Sequence, residues 1–192
     1  MSDFHQTGVI TSLHRLGRSD LPRLEAELLE YSDERPIALV LPSLFSETRG
    51  PALKGIVEEL SRVPYLRQCV VSLSGRADLE EFRQMRELVR SIPCLGGEGP
   101  TVIWNEGPRV RNLMNQLGEE GLDPGSTGKG LATWIAYGYV LATHEARVVA
   151  THDCDIRNYQ RELLARLCYP TANPNMNYEF AKGYYSRVTE RL

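Results

Sequence analysis

Ile37-Ala38-Leu39-Val40-Leu41, set between Pro36 and Pro42, is a short unbroken apolar run. A run with no polar alternation reads as a strand buried on both faces, the pattern of parallel sheets covered by helices. Upstream, Ser19-Asp20-Leu21-Pro22 reads as an N-cap followed by a proline in the first turn. It predicts a helix over about 20–32, with Leu21, Leu24, Leu28 and Leu29 at helical spacing. Downstream the alternation repeats: a helix near 49–62, a strand at Gln68–Leu73, a helix near 78–91 and a strand at Thr101–Trp104. Helices near 107–118 and 130–144 then precede a strand at Arg147–Thr151. Strands alternating with helices of this length indicate crossover units, hence an α/β fold with a mainly parallel, doubly wound sheet. Ligands of such sheets sit at the carboxyl ends of the strands.

The 192 residues carry 22 Lys+Arg against 25 Asp+Glu, a formal charge of −3, and 42% are hydrophobic. A chain of this size buries roughly 70% of its unfolded surface, so one autonomous domain is expected without disulfide or metal staples. The mixed, nearly neutral charge does not suggest a nucleic-acid surface or a polybasic membrane anchor. The apolar runs fall far short of the ~20 residues of a membrane span. Met1–Leu16 has no apolar core resembling a secretory signal, so a cytoplasmic protein is expected. Cys69, Cys94, Cys154 and Cys168 form no C-x-x-C pair and read as reduced thiols.

Four segments bear on chemistry. Leu41-Pro42-Ser43-Leu44-Phe45-Ser46-Glu47 reads as a loop whose hydroxyls and acid suit a base or ribose, with Leu44 or Phe45 against the ring. Capping of the next helix by Ser46 or Thr48 is the plainer alternative. Ser72-Leu73-Ser74-Gly75 puts a hydroxyl and a glycine at the neighbouring strand end. Gly121–Gly130 is a glycine-rich run with Gly128-Lys129 at a helix start, a generic phosphate cradle or a purely structural loop. It is not a P-loop, because Asp123 stands at the first glycine position and Gly130 replaces the Mg²⁺-binding hydroxyl. The strongest signal is Val148-Val149-Ala150-Thr151-His152-Asp153-Cys154-Asp155. Two carboxylates so close repel each other unless compensated, and Mg²⁺ or Mn²⁺ suits hard oxygen ligands. The alternative is a solvated pair capping the next helix, and His152 reads as a core histidine.

Leu41-Pro42-Ser43-Leu44, Gly128-Lys129-Gly130 with Trp134, Asp153-Cys154-Asp155-Ile156 and Lys182–Val188 together resemble retaining glycosyltransferases of the A-type, nucleotide-diphospho-sugar transferase fold. The nearer resemblance is to glucosyl-3-phosphoglycerate and mannosyl-3-phosphoglycerate synthases. It covers residues 36–192 as a nucleotide-sugar-binding domain, with 1–35 an N-terminal extension and helix. Relative to that family the domain is C-terminally truncated, with the acceptor part incomplete. The resemblance implies transfer of a hexose from UDP-glucose or GDP-mannose to 3-phosphoglycerate, as in compatible-solute synthesis. It implies that Pro42, Ser43, Leu44 and Glu47 line the nucleoside, that Ser74 reaches the base, and that Gly128 and Lys129 meet the nucleotide or diphosphate. Asp155 holds the metal, Asp153 meets ribose or metal waters, and Cys154 adds backbone contacts. A homodimer is the expected assembly. The competing reading is a non-catalytic nucleotide-binding module without the acceptor half. Lys182–Tyr185 is expected to form a last strand, with Tyr178 and Phe180 packed on core and rim.

Overall fold

The computed structural model describes residues 20–75, 78–122, 124–125 and 128–183. Helix α1 (Leu21–Tyr31) leads to β1 (Ile37–Leu44), a 3₁₀ turn (Phe45–Arg49), α2 (Pro51–Leu60), β2 (Leu66–Ser74) and α3 (Leu79–Val89). There follow β3 (Thr101–Trp104), α4 (Pro108–Glu119), α5 (Lys129–Thr143), β4 (Val148–Thr151) and α6 (Arg161–Ala172). The four strands are parallel, in the order β3-β2-β1-β4. The expected parallel α/β sheet is therefore present, and alternation along β1 explains how both of its faces are covered. Ile37, Leu39 and Leu41 join a large apolar cluster with Leu28 of α1, Leu53 and Ile56 of α2, Met85 of α3 and Leu164 of α6. Ala38 and Val40 face the other way, onto Ala136 and Val140 of α5.

The chain order reverses between β1 and β4: each crossover from β1 through β3 moves outward on one side, and β4 returns to the other side of β1. Such a switch point opens a crevice at the carboxyl ends of the two strands. The stretch expected to be a loop after Leu41 is instead strand, since β1 continues through Pro42 and Ser43 to Leu44. The pairing explains how proline is tolerated there. On the β2 side the register runs on to Leu44↔Ser74, whereas the β4 register ends at Val40↔Thr151. Beyond Val40 that side of β1 is an edge, where a residue lacking N–H leaves no ladder bond unmade.

Other sequence expectations shift with the packing. Helix α2 begins at Pro51 with Gly50 as N-cap, so neither Ser46 nor Thr48 caps it. Thr48 Oγ1 instead donates to the carbonyl of Phe45 at 2.7 Å, inside the 3₁₀ turn. Helix α6 is the next helix after the acids, to which the sequence reading gives no bounds. Lys182 and Gly183 lie outside any strand, while Tyr184–Val188 fall outside the described residues. Tyr178 is half-buried and Phe180 exposed, so neither belongs to the apolar core. The described cysteines are all free. Among the described residues no helix is long and apolar enough to cross a membrane.

Candidate functional site

The end of β1 is held by its own side chains. Ser43 Oγ donates to Glu47 Oε2 at 2.8 Å, and the Leu44 amide donates to the same oxygen at 2.8 Å. Glu47 thus closes the turn in the manner of a capping box. Pro42 and Ser43 are buried, whereas Leu44 is 50% exposed at the crevice rim. Phe45, the other residue offered for stacking, is turned into the core beneath the Arg49 guanidinium, 5.3 Å from its ring centre.

Across the crevice, β4 releases the chain at Thr151 into His152-Asp153-Cys154-Asp155. His152 is buried, and its Nδ1 lies 2.9 Å from the Tyr159 hydroxyl. Burial pushes this imidazole down to about 4, against the opposing pull of the Asp153 carboxylate. A neutral ring engaged in the core agrees with the sequence reading of His152. Cys154 is buried as well, and burial, then the nearby Glu47 carboxylate, push its thiol up to about 12, while a hydrogen bond with Ser43 pulls the other way. Cys154 therefore ties the end of β4 to the end of β1.

The two carboxylates differ. Asp153 is paired with the Lys129 ammonium, whereas Asp155 is exposed. Asp153 thus has a cationic side chain as partner, in addition to the bound cation that the sequence reading expects for the pair. Lys129 opens α5, where a positive side chain opposes the helix dipole, and the start of α5 sits beside the end of β4. No side chain caps α5 and no acid lies in its first turn. Its first amides and Lys129 thus form a positive edge, and Asp153 is the anion that now meets it.

Carboxylate oxygens suit Mg²⁺ or Mn²⁺, which keep waters and share coordination with phosphates. Among the described residues no cluster of three or more His, Cys, Asp and Glu side chains could hold a metal. An ion held by Asp155 would complete its shell from water and a diphosphate. The donor set fits a shared ion of that kind and not an all-protein cage.

Beside this crevice lies a cavity of about 300 Å³ between α4 and α5, reached by Ser74 from β2 and by Asn105 and Glu106 from the turn after β3. Asn105 Nδ2 donates to Ser74 Oγ at 2.8 Å and to Ser72 Oγ at 2.9 Å. Ser72 Oγ in turn donates to the Ala132 carbonyl of α5 at 2.8 Å. Gly75, at φ +103, adopts a backbone that favours glycine and donates its amide to Glu106 Oε1 at 3.2 Å. The sequence reading reaches Ser74 but passes over Asn105 and Glu106. Their signal was position: Asn105-Glu106-Gly107 directly follows an apolar strand of a parallel sheet.

No protein-family model matches the chain. Two curated relatives do. The chain is 44% identical, over 192 residues, to a glucosyl-3-phosphoglycerate synthase of Persephonella marina. It is 33% identical, over 187 residues, to one of Methanococcoides burtonii. These alignments cover 100% and 97% of this chain but 46% and 44% of the relatives, so the chain spans about half their length. Among solved structures it resembles glucosyl-3-phosphoglycerate synthase from Mycobacterium tuberculosis in complex with Mn²⁺, UDP and glucosyl-3-phosphoglycerate. That match has a TM-score of 0.52 at 21% identity and covers 84% of this chain and 47% of the other. The fold is thus shared with that enzyme, and the sequence is similar to the synthases that its motifs resemble.

Proposed function

We propose that this chain forms the nucleotide-sugar-binding part of a metal-dependent glycosyltransferase that moves a hexose from a nucleotide-sugar to 3-phosphoglycerate with retention. The observation that carries the reading is the meeting of Lys129 with Asp153, beside exposed Asp155, at the β1/β4 switch point. A nucleoside diphosphate needs such a place: positive charge for its phosphates and a free carboxylate for the cation they share. Similarity to synthases named for this reaction supports the substrates. Whether the hexose is glucose or mannose is a matter of the sugar pocket. The same reading expects a cytoplasmic protein that works as a homodimer, which sedimentation velocity tests.

In the proposed mechanism Asp155 holds the divalent ion and Asp153 orders ribose or metal waters. Bound there, Mg²⁺ or Mn²⁺ supplies compensation for charge on the departing diphosphate. Lys129 leaves Asp153 for the diphosphate, so that its charge follows the phosphates. Pro42, Ser43 and Leu44 with Glu47 line the nucleoside, Gly128 lets the backbone approach the phosphates, and Cys154 fixes the backbone between the acids. The acceptor hydroxyl attacks the anomeric carbon on the face from which the diphosphate leaves, as retention requires.

Incubation with Mn²⁺, a nucleotide-sugar and 3-phosphoglycerate tests the reading. Release of nucleoside diphosphate that depends on 3-phosphoglycerate is the expected result. Nucleotide binding without turnover favours the second reading, a non-catalytic nucleotide-binding module. Lys129→Ala is expected to weaken binding of the nucleoside diphosphate by about 1.5–3 kcal/mol, the worth of one charge-assisted hydrogen bond. Calorimetric titration of the variant reads this directly.

A further inference from the structure

The residues that follow β4 alternate between core and solvent. His152 and Cys154 are buried, whereas Asp153 is half-buried and Asp155 exposed. The His152 amide still donates to the Val40 carbonyl of β1 at 3.1 Å, but the register between β1 and β4 ends at Thr151. Beyond that point the chain carries both acids with no paired strand to hold them. Side chains do so instead. On the β1 side Cys154 meets Ser43. On the other side His152 Nδ1 shares a hydrogen bond with the Tyr159 hydroxyl at 2.9 Å, with the two rings edge-on, their centres 5.4 Å apart at 70°. That bond closes the loop 152–159 beneath the acids. Tyr159 is a fixed point in turn: it is 7% exposed and belongs to the large apolar cluster that also buries Leu164, Ala165 and Cys168 of α6.

We infer that Tyr159 is a positioning residue for the metal site: through its hydrogen bond to His152 it sets where Asp153 and Asp155 stand. The inference rests on the metal-dependent nucleotide reading above and adds the group that holds the acids in place. Tyr159 acts on the backbone of the loop and not on the ion. Packing of the ring contributes many weak contacts, none of which fixes a direction. A hydrogen bond in a dry interior is directional and strong, so it selects one placement of the imidazole. Without the hydroxyl, the His152 nitrogen is buried unpaired, a penalty relieved by turning toward water. Asp153 is the next residue, so any such turn moves an acid. Loss of groups that merely orient metal ligands costs about 10–100-fold in affinity at many sites.

Two variants separate the bond from the ring. Tyr159→Phe keeps the ring in the cluster and removes the hydroxyl. His152→Asn removes the imidazole but keeps a polar atom near the place of Nδ1, able to meet the Tyr159 hydroxyl as donor or acceptor. The test is calorimetric titration of the 192-residue chain with GDP and with UDP, in Mn²⁺ and after chelation, with circular dichroism at the same temperature to confirm the fold. Tyr159→Phe is expected to lose about ten-fold in Mn²⁺-dependent affinity, while its affinity without metal stays within about two-fold of the wild type. His152→Asn is expected to melt lower, having lost a buried ring, yet to keep its Mn²⁺-dependent affinity within about three-fold. A role in stability alone lowers melting in both variants and leaves the affinity of the folded protein unchanged. A Tyr159→Phe chain that keeps its Mn²⁺-dependent affinity, or that loses affinity equally with and without metal, overturns the inference. So does a His152→Asn chain that loses as much as Tyr159→Phe, because the ring and not the bond then holds the loop. A wild type whose nucleotide binding is not strengthened by Mn²⁺ removes the metal reading itself.

Discussion

Replacing Asp155 by alanine is expected to lower Mn²⁺-dependent affinity for a nucleoside diphosphate by more than about 100-fold while leaving the fold intact. Loss of groups that merely orient metal ligands already costs about 10–100-fold in many sites, and Asp155 is proposed as the ligand itself. Its side chain is exposed just past β4 and belongs to neither apolar cluster. Surface changes of that kind shift stability by about 0.5 kcal/mol or less. Thermal melting without ligand should therefore superimpose on the wild type, and only titration with Mn²⁺ and nucleotide should separate the two. Equal affinity in the variant would remove Asp155 from the metal site. Asp153→Ala is a different experiment, because it also frees Lys129 from its ion pair.

The second large effect is on stability. Arg161 at the start of α6 donates from Nε to Glu25 Oε1 of α1 at 2.9 Å, and its backbone amide donates to Glu59 Oε2 of α2 at 3.0 Å. The Glu25 side chain keeps only 11% of its exposure and that of Arg161 24%. Burial raises the Glu25 carboxyl above its ordinary value, and Arg161 pulls it back. Arg161→Ala leaves that carboxylate nearly buried without its cation, a loss of about 2–3 kcal/mol at neutral pH, toward the low end for broken buried pairs because Arg161 is partly solvated. The sign with pH follows from the raised value. A carboxyl whose folded value lies above its unfolded one favours the fold when protonated and loses that contribution as pH rises through the folded value. The variant raises Glu25 further, so its deficit is greatest at neutral pH and shrinks as pH falls through these raised values, above the ordinary 4.5. Urea unfolding of both proteins across that range checks it, and a deficit independent of pH would assign the loss to packing of the arginine stem instead.

Much of this architecture follows from local pattern. Thr101–Trp104 is strand as its β-branched run demands, and Ile37–Leu41 is buried on both faces because helices cover both sides of a parallel sheet. The reading stopped β1 at Pro42 because a proline is normally excluded from a central strand. Only the register shows that β4 is too short to pair there. Helix α6 reads only as the next helix, without bounds: Pro170 stands within it, yet in the last turn, where one missing N–H costs little of the ladder. The helix is then fixed by burial of Leu164, Ala165 and Cys168 against the sheet and α1, a tertiary fact.

The site shows the same division. Asp153 and Asp155 could be picked out because their spacing at a strand end is a local signal. That Lys129 neutralises one of them depends on where α5 begins relative to β4, which a separation of 24 positions does not reveal. Glu47 reads as an acid for a base or ribose, and only the fold shows that its Oε2 also holds Ser43 and the Leu44 amide. Glu106 gives no motif at all, and only the fold shows that it holds the Gly75 amide at the end of β2.

The central claim is that this chain binds a nucleoside diphosphate through a divalent ion at the β1/β4 crevice. Isothermal titration with GDP and with UDP, in Mn²⁺ and again after chelation, tests it most directly. The account predicts saturable binding of at least one of them in Mn²⁺, weakened by about ten-fold or more when the metal is removed. Binding that is indifferent to chelation, or no binding with Mn²⁺ present, would contradict it.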